Sequence, residues 1–265
     1  HRMAVRHGLR LIAFDRPGFG ESPLVAPYSL RDFADDVAAL AEQKGIARFG
    51  LIGWSSGAPP VIATAHYHPR QVAFTFAVAG YTDFSTYPDA VELMRSRGFP
   101  GADWSENRPI LFNSVVSVIR WADLNLPGRY LDALRKELPP ADLAVLDPPA
   151  AADLFVRIQQ DAVKQGTEGP VQDLRTQWRA WGFPLRDVTS PVAILQGSED
   201  PFIPAEFPRH LTSTLGNARF LEIPGRGHLM PLQDEFQQCL FGAASQWLAG
   251  ASMVLPQWPG CVDSP

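Results

Sequence analysis

Gly53-Trp54-Ser55-Ser56-Gly57 sets a hydroxyl between two glycines where an apolar run gives way to a helix-forming one, and the fold follows from how that stretch is read. Ahead of it, Arg48-Phe49-Gly50-Leu51-Ile52 is short and largely apolar, as a buried strand is. Behind it, Ala58 to His66 reads as a helix. Pro59 and Pro60 fall in its first turn, where backbone N–H groups lack intrahelical partners in any case. Turning from strand to helix in so few residues forces the central residue into a strained conformation, and a side chain at Gly53 or Gly57 is expected to collide with neighbouring backbone. Such a turn lifts Ser55 Oγ above the sheet and aims the first N–H groups of the helix at negative charge forming beside it. On these five residues alone, a catalytic turn and a plain Gly/Ser-rich linker are both open.

The chain around this stretch has 265 residues, 46% apolar and 19% charged, which fits one large domain or a core domain with an insertion. A net charge of −5 without a long basic stripe argues against nucleic acid as a partner, because phosphate binding needs clustered Lys and Arg. No run approaches the ~18 apolar residues of a membrane span, so no membrane partner is expected. Cys239 and Cys261 are too few for a disulfide framework or a zinc site and read as one helix thiol and one tail thiol. No metal and no cofactor is expected. The chain opens on His1 with no secretory signal pattern, and the expected location is cytoplasmic.

Leu9 to Phe14 is a short apolar run before turn residues and predicts a strand; Asp15-Arg16-Pro17-Gly18-Phe19-Gly20-Glu21-Ser22 then predicts a tight loop. Ser29 stands as an N-cap before an acid, with Leu30, Phe33, Val37, Leu40 and Ala41 at helical spacing, so residues 30–44 predict an amphipathic helix closed by Gly45. Gln71 to Ala79 alternates like a strand. From about Thr82 to Val188 strand signal fades, and helices are expected over 110–120, 129–137, 150–164 and 171–181. Trp104, Phe112, Trp121, Phe155, Trp178, Trp181 and Phe183 make this stretch rich in aromatic residues, which at helical spacing more often pack a small core than line a pocket. Strand–helix alternation returns with strands at 191–196 and 218–223 and helices at 205–215 and 232–248. Gly250 to Pro265 reads as a surface tail.

In its strand–turn–helix setting, the opening stretch is a G-x-S-x-G nucleophile elbow that resembles that of the α/β-hydrolase family. The octapeptide from Asp15 to Ser22 resembles the family's D-x-P-G-x-G-x-S loop, a more specific match, and implies a structural role for Asp15. The resemblance implies an α/β fold with a mostly parallel sheet. Its core would be residues 1–81 and 188–249, with a helical cap inserted at 82–187 and a tail at 250–265.

A serine hydroxyl is a poor nucleophile until a base takes its proton, and that base must be held in one tautomer by a partner such as a carboxylate. The elbow therefore demands an acid and a histidine on loops after later strands, in the order Ser, acid, His. Asp200 and His228 meet that demand after Ser55. Gly197 to Pro204 resembles the family's G-x-x-D-x-x-x-P acid loop, and Gly227-His228 its histidine loop. Competing groups are Glu199, expected to point elsewhere; Asp83, an alternative place for the acid; and His66, His68 and His210, which fall on helices or their ends. The resemblance makes the Ser56 N–H one donor of the oxyanion hole, a contact typically worth ~3 kcal/mol in the transition state.

The expected activity is that of a serine hydrolase acting on a small-molecule substrate with a carbonyl group: an ester, lactone, thioester or small amide. Serine rather than aspartate at the elbow disfavours chemistry through an alkyl-ester intermediate. Iminopeptidase and carbon–carbon hydrolase activities stay open. The alternatives are a non-catalytic ligand binder and an inactive fragment. Members of the family carry an H-G loop ahead of the D-x-P-G loop, and the 14 residues before Asp15 hold none that fits, His7-Gly8 sitting directly against the next strand. Three explanations are open: an N-terminally truncated chain, a sheet rearranged so that residues 9–14 lie beside the elbow strand, or a protein completed by another chain.

Overall fold

The computed structural model describes residues 2–251 and residue 255. The chain runs α1 (Arg2–Arg6), α2 (Leu30–Gln43), β1 (Phe49–Trp54), α3 (Ala58–Tyr67) and β2 (Val72–Val78). Seven helices follow: α4 (Ala90–Ser96), α5 (Gly101–Asn107), α6 (Pro109–Asn125), α7 (Pro127–Arg135), α8 (Pro140–Leu146), α9 (Pro149–Ala162) and α10 (Glu168–Gln177). It closes with β3 (Val192–Gly197), α11 (Glu206–Thr214), β4 (Ala218–Ile223) and α12 (Asp234–Leu248). Contacts divide the chain into two compact units, one of 1–13, 30–82 and 182–265, the other of 14–29 and 83–181.

The first unit carries a four-stranded sheet in the order β1-β2-β3-β4, every pair parallel. All seven residues of β2 are buried, as the period-free apolar composition of an inner strand requires. Register aligns the strand ends: Trp54 faces Val78, Val78 faces Leu195, and Gly197 faces Ile223. The loops that leave β1, β3 and β4 therefore emerge along one edge of the sheet. Beneath it, the ring of Trp247 from α12 stacks on Phe76 at 4.7 Å and meets Phe74 edge-on at 5.2 Å. Burying side chains of this size contributes about 1.5–3 kcal/mol each. Helix α2 ends as its sequence predicts: Gly45 takes φ +67° and Ile46 N–H donates to Ala41 O at 2.8 Å, the Schellman closure.

Two expectations fail here. Residues 9–14 form no strand, and Leu11, Ile12 and Phe14 stand 47%, 39% and 40% exposed. Apolar composition favours a strand only where a neighbour completes the ladder. Among the described residues β1 pairs with β2 alone, which also overturns the rearranged sheet. Leu9 turns inward instead, packing against Met3, Ala4 and Phe241. Secondly, Cys239, read as a helix thiol, is disulfide-bonded. Cys261 and most of the expected tail lie outside the described residues.

The second unit is helical, with Phe112, Leu146, Val171 and Trp181 buried inside it. Trp121, in contrast, is 56% exposed. Side chains pin helix to helix through main-chain acceptors: Arg120 Nε donates to Val163 O at 2.7 Å, and Gln160 Nε2 to Asp123 O at 2.8 Å. The segment 14–29 belongs to this unit. Gln165 Nε2 donates to the carbonyls of Gly20 and Ser22 at 2.7 and 2.8 Å, Gln172 to Val25 O at 2.8 Å, and Arg16 pairs with Asp173 at 3.0 Å. A Cβ on Gly18 would meet the Gly169 backbone at 2.6 Å, so this contact requires two glycines. Asp15 has the structural role expected of it: its Oδ2 accepts Glu21 N–H at 3.0 Å and its carbonyl accepts Ser22 Oγ–H at 2.7 Å.

Candidate active site

Strand β1 delivers the chain to Ser55 in extended conformation, Trp54 at φ −112°, and Ser55 itself takes φ +54°. Only one other non-glycine residue among those described, Ala79, shares that sign. A left-handed conformation costs a non-glycine residue about 1–3 kcal/mol and persists where surrounding structure imposes it. What imposes it is packing behind the turn. A Cβ on Gly53 would stand 2.1 Å from Gly57 O and 2.5 Å from Val61, so β1 and the start of α3 meet at van der Waals limits. Gly80, next to Ala79, closes the same corner: its Cβ would lie 2.2 Å from that of Ala58. Gly57 departs from expectation. Its φ is −83° and nothing lies within 4 Å of a Cβ there, so neither backbone conformation nor space requires a glycine at that residue.

The acid and histidine loops leave β3 and β4 side by side. Ser198 N–H donates to Ile223 O at 3.1 Å and Glu199 N–H to Arg226 O at 2.9 Å, while Ser198 Oγ accepts Gly225 N–H at 2.9 Å. Gly197 is required at this seam, since its Cβ would stand 2.2 Å from Arg226 O. The arrangement brings Asp200 Oδ2 to 2.8 Å from His228 Nδ1, with side chains only 1% and 10% exposed. The other oxygen, Asp200 Oδ1, accepts N–H from Phe202 at 2.8 Å and Ile203 at 3.0 Å. A carboxylate so held has one oxygen left for the imidazole, and an ionised carboxylate only accepts, so the tautomer that fits this contact carries its proton on Nδ1.

Ser55 connects to this pair through its chain neighbour: Trp54 Nε1–H donates to the carbonyl of His228 at 3.0 Å. The edge of Phe202 meets the imidazole at 5.1 Å. Neither aromatic contact was visible as a sequence pattern, because Trp54 lies 174 positions from its acceptor. The positive φ of Ala79 was equally hidden; the glycine after it was the available hint.

The competing groups have other partners. Glu199 is exposed. Asp83 Oδ1 accepts the N–H and Oγ–H of Ser85 at 2.9 and 2.7 Å. His66 stacks on Phe183 at 4.6 Å, and burial lowers its pKa against the opposing influence of Asp187. His68 pairs with Asp35 at 2.9 Å, and His210 Nδ1 is 2.7 Å from Thr82 Oγ1. Among the described residues no group of three or more His, Cys, Asp or Glu could hold a metal ion, and no helix is long and apolar enough to cross a membrane.

A strand-to-helix turn with a left-handed serine lies at the end of one parallel strand, and a buried acid–histidine pair lies beyond two others. The chain belongs to the alpha/beta hydrolase fold family, whose model matches residues 4–235. RutD of Klebsiella pneumoniae, whose name carries a provisional carbamate hydrolase assignment, is 27% identical over 238 residues, covering 88% of this chain and 79% of that one. A pimeloyl-[acyl-carrier protein] methyl ester esterase of Neisseria meningitidis is 25% identical over 221 residues, 82% of this chain and 74% of the relative. Among solved structures, a hydrolase from Pseudomonas aeruginosa superposes with a TM-score of 0.64 at 19% identity, covering 94% of this chain and 82% of that one. The esterase RhEst1 from Rhodococcus gives a TM-score of 0.63 at 20% identity, with coverages of 94% and 84%.

Proposed function

We propose that the chain is a serine hydrolase that cleaves an ester, lactone, thioester or small amide through an acyl-enzyme on Ser55. The observation that carries this reading is the buried 2.8 Å pair of Asp200 and His228, with the second carboxylate oxygen already bound by two main-chain N–H groups. Ser55 Oγ attacks the substrate carbonyl as His228 Nε2 takes its proton. The same nitrogen returns the proton to the leaving group and then activates water to break the acyl-enzyme. Asp200 holds the imidazole tautomer and stabilises the imidazolium. The Ser56 N–H receives the oxyanion, aided by the helix that begins at Ala58.

We read 82–187 as a helical cap inserted into a core of 1–81 and 188–249, except that segment 14–29 belongs to the helical unit. The esterase name of the Neisseria relative supports ester chemistry. The test is an active-serine phosphonate probe on the wild type and on Ser55→Ala. Stoichiometric labelling of the wild type alone supports the hydrolase; ligand-induced thermal stabilisation without labelling supports a non-catalytic binder instead.

A further inference from the structure

We propose that Trp54 is a positioning residue that fixes the main chain of His228 relative to Ser55, an inference that rests on the serine-hydrolase reading above. Its indole Nε1–H donates to the His228 carbonyl at 3.0 Å, and its ring lies 5.7 Å from the imidazole at 41°. Three of the histidine's contacts bear on its placement. Asp200 sets the rotation of the ring through Nδ1, Phe202 meets the ring at 81°, and Trp54 holds the backbone that carries it.

The third hold answers a weakness in the sequence. His228 ends the loop Pro224-Gly225-Arg226-Gly227, where Gly225 takes φ +66° with nothing within 4 Å of its Cα substituent position. Glycines in a loop widen the conformations the chain can visit; the acid loop restrains Gly225 and Arg226, and the hydrogen bond to the histidine's own carbonyl extends that restraint to the residue where proton transfer would feel it. Trp54 is also the residue bonded to Ser55. One residue at the end of β1 is therefore bonded covalently to the serine and by hydrogen bond to the histidine's main chain. Misplacing reacting groups by about 1 Å can cost on the order of 100-fold in rate, so a donor that couples them acts on turnover and not on substrate affinity.

The experiment compares wild type, Trp54→Phe and Ser55→Ala by three readouts: the rate of phosphonate labelling, kcat and KM on a p-nitrophenyl ester, and melting temperature. Trp54→Phe keeps an aromatic ring and removes the donor. The expected result is labelling and kcat each lower by about 10-fold with KM within about 2-fold, the loss of one hydrogen bond expressed at the transition state. The low-field proton resonance of the Asp200–His228 pair is retained. Replacing Trp54 with its sulfur isostere benzothienylalanine, which keeps the bicycle and lacks the N–H, gives the same result if the smaller ring disturbs packing. A wild-type labelling rate in the benzothienylalanine variant overturns the inference whatever Trp54→Phe shows, as does a raised KM at unchanged kcat, which makes Trp54 a substrate contact. Wild type that fails to label, or Ser55→Ala that labels equally, overturns the serine-hydrolase reading itself.

Discussion

The backbone N–H of Trp181 donates to Asp83 Oδ2 at 3.3 Å, joining residues 98 positions apart within the helical unit. The same carboxylate takes two hydrogen bonds from Ser85, and Asp83 is 2% exposed. One side chain thereby ties together the two ends of a long, helix-rich excursion. Asp83→Ala removes an acceptor from the buried Trp181 N–H and from the exposed Ser85, and is expected to destabilise by about 1–2 kcal/mol in urea unfolding. Turnover per folded molecule should stay within about 3-fold of wild type, since the histidine's partner is Asp200.

Ser55 is held in a conformation that glycine adopts freely. Ser55→Gly is expected to raise stability by about 1 kcal/mol over Ser55→Ala while both lose hydrolysis, a dissociation of stability from activity that calorimetry and an ester assay together would register.

The two glycines of the elbow should differ sharply. Gly53→Ala drives a methyl into Gly57 O and Val61 and is expected to cost about 3 kcal/mol or more. Gly57→Ala places its methyl in open space at a φ of −83° and should be nearly neutral. Equal melting temperatures for the two variants would contradict the packing described.

Asp200→Asn tests the tautomer. Its Oδ1 position must still accept from Phe202 and Ile203, so the amide turns its NH2 toward His228 Nδ1. Nδ1 then has to accept, Nε2 carries the proton, and the imidazole no longer serves as a base. A fall in kcat of about 10³–10⁴-fold is expected with the fold intact by circular dichroism.

Asp173 gives a pH dependence. Burial pushes its carboxyl up to about 6, against the opposing influence of Arg16 and of a hydrogen bond from Gln177. Between its unfolded value, about 3.9, and 6, the folded state binds more protons than the unfolded one, so stability falls as pH rises through this window. The side chain keeps 18% of its surface in solvent, which limits the effect to about 2 kcal/mol. Asp173→Asn should flatten the change in melting temperature between pH 4 and pH 6.5; an unchanged slope would place the titration elsewhere.

How much of this was legible depended on how local the cause was. Strands β1 to β4 and the helices after them announce themselves by apolar runs bounded by Gly and Pro, and β4 begins at Ala218 and ends at Ile223 as read. The pairing of Asp200 with His228 could be anticipated from chemistry, because a nucleophilic serine at position 55 would require both. Leu9 to Phe14 misled because strand propensity says nothing about whether a neighbouring strand is present. The short helices α4, α5 and α8, each 7 residues long, were missed because so few turns give no clear apolar period. The contact of Trp54 with the His228 carbonyl is made only in three dimensions.

The glycine contact between residues 18 and 169 bears on any attempt to re-engineer this chain. Segment 14–29 has its acceptors satisfied by Gln165 and Gln172 and its Arg16 matched by Asp173, all on the far side of the sequence. Cutting out 83–181 as a module, or grafting in another helical insertion, would strip those sixteen residues of every one of these supports. A transplant that works has to move both pieces at once, respecting four chain crossings instead of two.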